Sequence, residues 1–83
     1  MSAHVKVFRT NPDVTCLEKD EASVREAIGL ICLTFNRDTG DTGNFFVEIN
    51  GKRALYNSWF MTFYKWFGSG WAMIRNPQYY FEH

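Results

Sequence analysis

The chain has 83 residues, fifteen of them aromatic (eight Phe, three Trp, four Tyr), and its nine basic and nine acidic side chains cancel to zero formal net charge. This length allows one domain, residues 1–83, burying roughly 60–65% of the surface its unfolded chain exposes, with no room for a deep substrate cleft as well. Neutrality excludes a DNA mimic, a histone-like binder and a polybasic membrane module as whole-protein identities.

The opening Met-Ser-Ala-His-Val-Lys lacks a charged head, an apolar stretch and a small-residue cleavage site, so an intracellular, cytoplasmic chain is expected. Residues 4–9 alternate as a strand, with Val5 and Val7 on one face and Lys6 and Phe8 on the other. Asn11-Pro12-Asp13 is a turn signal. Residues 23–36 have helical spacing, because Val24, Ala27, Ile28, Ile31 and Phe35 form one apolar stripe. Ser23 and Glu26 stand at capping-box spacing, and Asp20 is the competing cap. Gly29 and the apolar run 30–35 keep a strand reading open for the second half of that segment.

Residues 44–49 and 52–56 flank Asn50-Gly51, the dipeptide suited to the positive φ angles of a two-residue hairpin turn. In that register Glu48 faces Arg53 and Phe46 faces Leu55, while Ile49, Val47 and Phe45 face Lys52, Ala54 and Tyr56 on the other side. A charge pair and an aromatic pair thus fall opposite each other without adjustment. Residues 57–67 fit two patterns. Asn57 or Ser58 as cap, Lys65 in the last turn and Gly68 beyond the end favour a helix, and alternation leaves a strand open. Residues 71–75 read as a strand, Asn76-Pro77 as a break, and residues 78–81 as extended chain. The order is then β-α-β-β-α-β, the split βαβ or ferredoxin-like arrangement of an α+β domain. The alternative is one helix on a four- or five-stranded antiparallel meander.

No catalytic constellation accompanies this fold. Asp-Thr-Gly occurs twice in residues 38–43, but Asn36-Arg37 precedes the first copy where the aspartic-protease turn needs a buried apolar strand. A calcium loop starting at Asp38 has its glycine at Gly43 and the wrong residues at Gly40, Thr42 and Ile49. His4, Cys16, Cys32 and His83 are too dispersed for a zinc site, whose ligands come in close pairs. Cys16 and Cys32, with fifteen residues between them, suit small buried apolar groups better than a disulfide scaffold or a redox pair. Gly68-Ser69-Gly70 is too short for a phosphate loop and lacks its lysine. The most apolar window, 59–74, is broken by Thr62, Lys65 and those glycines, short of the roughly 20 residues a membrane span needs. A non-enzyme without cofactor is expected.

The halves of the chain differ. Residues 1–44 carry five basic and seven acidic groups and two aromatics; residues 45–83 carry four basic and two acidic groups and thirteen aromatics. Phe45, Phe60, Phe63 and Phe67 are assigned to the core. Trp59, Tyr64, Trp66, Tyr79 and Tyr80 exceed what so small a core encloses, and Lys52, Lys65 and Arg75 interleave with them. Trp and Tyr with a wet polar tip are enriched at protein interfaces, so Trp59, Tyr64, Lys65, Trp66, Arg75, Tyr79 and Tyr80 form the candidate partner-binding set. The partner would be a larger protein or a second copy of the chain. Basic residues beside stacking groups also suit single-stranded nucleic acid, the alternative reading. The split βαβ order resembles the RNA-recognition motif in topology, while Lys52-Arg-Ala-Leu-Tyr-Asn57 has one aromatic and no Gly where that family's third strand has aromatics two apart in a Gly-rich context. In size and style the chain is similar to small inhibitors that phages and mobile elements direct against host defence nucleases.

Overall fold

The computed structural model describes residues 2–40 and 42–83. Its elements are β1 (Ala3–Arg9), β2 (Val14–Glu21), α1 (Val24–Thr34), β3 (Asn44–Ile49), β4 (Lys52–Asn57), β5 (Thr62–Phe67), β6 (Gly70–Met73) and α2 (Pro77–Glu82). The strands form one six-stranded sheet in the order β2-β1-β3-β4-β5-β6, every neighbouring pair antiparallel. The class is α+β, and the element order is β-β-α-β-β-β-β-α in place of β-α-β-β-α-β.

Each departure has a local cause. β2 carries no apolar alternation because it is an edge strand that buries almost nothing, and only Leu17 packs partly against the core. Without a buried face the periodicity that marks a strand is absent. In residues 57–67 the capping side chains close a turn instead of opening a helix. The Asn57 carboxamide accepts the Phe60 amide at 3.1 Å, and the Ser58 hydroxyl accepts the Gly43 amide at 2.9 Å and donates to the Gly43 carbonyl at 3.1 Å. Met61 then takes a left-handed conformation, φ 52°, which no helix interior tolerates. The β-branched and aromatic residues that follow pair as β5, Phe63 opposite Tyr56. Residues 78–81 are helical, not extended. Asn76 caps the Tyr79 amide at 3.1 Å and Pro77 occupies the first turn, so the dipeptide that breaks one element starts the next.

The helix predicted at 23–36 is α1. Its Ser23 hydroxyl accepts the Glu26 amide at 3.1 Å. It ends two residues early because the Asn36 carboxamide donates to the Cys32 and Leu33 carbonyls, both at 3.1 Å, and accepts the Asp38 amide at 2.9 Å. The β3–β4 hairpin has the expected register throughout, and Asn50 and Gly51 take φ 53° and 82° as the two-residue turn requires.

One face of the sheet carries the core. Val5 and Val7, Phe45, Val47 and Ile49, Tyr56 and Phe63 meet Ala27 and Ile31 from α1, Phe35 just past its end, and Phe81 from α2. Phe60 and Phe67, assigned to the core, are each 69% exposed, because both lie at hairpin ends beyond the cover of the helices. Cys16 is likewise exposed, on the edge strand, and Cys32 is half-buried in α1.

The Tyr56 hydroxyl, fully enclosed, donates to the Phe35 carbonyl that ends α1. Burial, with a smaller contribution from the Cys32 thiol, raises its pKa, so it stays a donor at any ordinary pH. Tyr56→Phe leaves that buried carbonyl unpaired and should cost about 1–3 kcal/mol, read as a lower midpoint of thermal unfolding.

Candidate functional site

Strand alternation sends every second side chain to the face opposite the helices. On β1 and β3 these are Lys6, Phe8, Phe46 and Glu48; on β4, β5 and β6 they are Arg53, Leu55, Tyr64, Trp66, Trp71 and Met73. The aromatic members touch in sequence. Phe8 stacks on Phe46 with centroids 5.7 Å apart, Phe46 meets Trp71 at 6.4 Å, and Trp71 meets Trp66 edge-on at 5.3 Å. Among the described residues no helix covers this run, and Trp66 and Trp71 are 59% and 45% exposed.

The charges on this face are largely matched. Arg53 lies over the rings of Phe8 and Phe46, at 5.1 and 5.7 Å, and its guanidinium donates two hydrogen bonds to the Glu48 carboxylate, at 2.9 and 3.1 Å. Lys6 sits 5.2 Å from the Phe8 centroid, opposite Glu18 in the neighbouring strand. His4 bridges two carboxylates, Glu18 at 2.7 Å and Asp20 at 2.8 Å.

The Asp20 hydrogen bond, followed by that of Glu18, raises the His4 pKa above its ordinary value of 6.5. A group whose folded pKa is raised stabilises the fold fully below its unfolded value and loses that contribution as pH rises through the folded one. The β1–β2 hairpin should therefore exchange its amide hydrogens with weaker protection as pH is raised from 6.5, after correction for intrinsic exchange rates. In His4→Gln that trend should be absent. Because the cluster is exposed, added salt should shrink the effect.

The residues assigned to partner binding from sequence occupy three places. Tyr64 and Trp66 lie on the open face, where Phe8, Phe46 and Trp71 join them. Trp59 lies in the β4–β5 turn, beside Cys32 and Leu33 near the end of α1. Lys65, Arg75, Tyr79 and Tyr80 line a cavity of about 340 Å³ on the helix side, together with Lys52 and His83. Tyr80 is half-buried: its hydroxyl donates to the Arg53 carbonyl at 2.8 Å, Lys52 lies 4.2 Å from its ring centroid, and burial raises its pKa. The signal for Phe8 and Phe46 was present in the alternation of β1 and β3, each pointing away from buried neighbours. Phe8 lies in the half with only two aromatics, and Phe46 lies among the thirteen of the other half, where composition does not tell an outward ring from a buried one.

Asp41, the start of the second Asp-Thr-Gly, lies outside the described residues. Among the described residues no three His, Cys, Asp or Glu side chains are grouped to hold a metal ion, and no helix is long and apolar enough to cross a membrane. No protein-family model, no curated protein and no solved structure matches this chain.

Proposed function

We propose that the chain is a small interaction protein that binds a larger protein partner through the open face of its sheet. The observation that carries this reading is the uncovered ring run Phe8–Phe46–Trp71–Trp66, flanked by Tyr64, Leu55 and Met73. Aromatic residues and arginine dominate the residues that carry binding energy at protein interfaces. The charge pattern favours protein over nucleic acid on this face. Of its cations, Arg53 is ion-paired with Glu48 and Lys6 stands between Glu18 and Glu48 in the strand register, whereas a phosphate backbone calls for basic groups without acidic neighbours. The partner surface that fits is apolar, with polar groups at its rim.

Affinity capture from extracts of the native host, with and without nuclease, tests the reading. A protein retained after nuclease treatment, lost with Trp66→Ala and kept with Leu33→Ser on the far side, supports it. Capture that disappears with nuclease, or that Trp66→Ala leaves intact, overturns it.

A further inference from the structure

Three of the nine cationic Lys and Arg side chains, Lys52, Lys65 and Arg75, meet around the helix-side cavity of about 340 Å³, and none of its lining residues is an Asp or Glu. Among the described residues none of the three is in an ion pair; Lys52 and Lys65 instead lie over the rings of Tyr80 and Phe67, at 4.2 and 5.7 Å. Their charge is thus unspent, in contrast to Arg53 on the open face. Beside them Tyr79 is 62% exposed although one side of its ring stacks on His83, with centroids 4.2 Å apart and planes 23° apart. Among the described residues the Tyr79 ring stacks on no other ring and has no cation over it, and it lies in the cavity lining beside the three cations.

A flat π surface beside unpaired cations matches a ligand that carries both an aromatic base and a phosphate. The volume lies at the lower end of the range of about 300–1,000 Å³ for small-molecule sites. We propose that this cavity is a nucleotide site, in which Lys52, Lys65 and Arg75 take the phosphate and the Tyr79 ring takes the base. The site lies on the helix side, shares Met73 with the edge of the open face, and does not depend on the function assigned to that face. The nucleotide is either free or one unit of a single strand, since both present the same chemistry. An acidic peptide satisfies the cations but leaves the ring without a role.

Amide chemical shifts of the intact protein, titrated with adenosine monophosphate, inorganic phosphate, a short oligothymidylate and polyglutamate, test the proposal. The nucleotide should move the amides of residues 52, 65, 75 and 79 saturably. Arg75→Gln should weaken nucleotide and phosphate alike, by about tenfold, the scale of one lost charge-assisted contact. Tyr79→Leu should weaken the nucleotide while leaving phosphate unchanged, and amides away from the cavity report that both variants stay folded. Tighter, salt-sensitive binding of the oligothymidylate identifies the single strand as the source; equal or weaker binding identifies the free nucleotide. The proposal fails if neither nucleotide ligand gives saturable shifts, if polyglutamate binds more tightly than both, or if Tyr79→Leu leaves nucleotide affinity unchanged.

Discussion

Phe63→Ala should destabilise the fold by about 3–5 kcal/mol, the range for removing a fully packed phenylalanine. Phe63 is 2% exposed and ties three elements together. Its ring packs 4.8 Å from that of Tyr56 on β4 and edge-on, at 5.9 Å, against Phe81 of α2. Its carbonyl accepts the Ile74 amide at 2.8 Å, which fixes the chain between β6 and α2. A domain of this size has on the order of 5–10 kcal/mol in total, so the variant should be partly unfolded at ambient temperature, with a weak or absent cooperative melt by circular dichroism. Phe60→Ala and Phe67→Ala remove equally large rings from exposed hairpin ends and should change stability by only about 0.5 kcal/mol. Comparable losses in all three variants would mean that the hairpin-end rings are buried in solution.

Trp71→Ala should have the opposite profile. Trp71 stands at the middle of the ring run, touching Phe46 on one side and Trp66 on the other. Removing it splits the apolar surface in two, yet little of the core is disturbed, because its side chain lies on the face away from the helices. Truncating a central interface tryptophan typically costs about 2–4 kcal/mol of binding, or about 30- to 1,000-fold in Kd. Stability should fall by about 1 kcal/mol or less, as for other partly exposed positions. Calorimetric titration of the captured partner against wild type and variant checks the first figure, and a thermal melt checks the second.

Where a segment buries one face, its pattern predicted its structure. The β3–β4 hairpin appears residue for residue, since Asn50-Gly51 sets the turn and alternating burial sets the register. The α1 stripe survives for the same reason, and only its end is displaced, by the Asn36 carboxamide. β2 was silent because an edge strand with almost no burial has no period to display. The cues at Asn57, Ser58 and Asn76 have short-range meaning alone: the same side chain caps a turn or a helix according to what packs next. Phe81 under Phe63 makes residues 77–82 a helix, and Tyr56 opposite Phe63 makes residues 62–67 a strand. For the site, composition pointed to the aromatic half but could not say which ring faces which way. Tyr64 and Trp66 belong to the open face, Tyr79 and Tyr80 to the other side of the molecule, and Phe8 comes from the half that composition passed over.

Whether the open face is a binding surface or a support of the fold is decided by the Trp66→Ala/Trp71→Ala double variant. Its thermal transition should remain cooperative, with a midpoint no more than about 8 °C below that of the parent chain, while the partner is no longer bound. Loss of the cooperative transition, or partner binding at full strength, would contradict the reading of these rings as an interface.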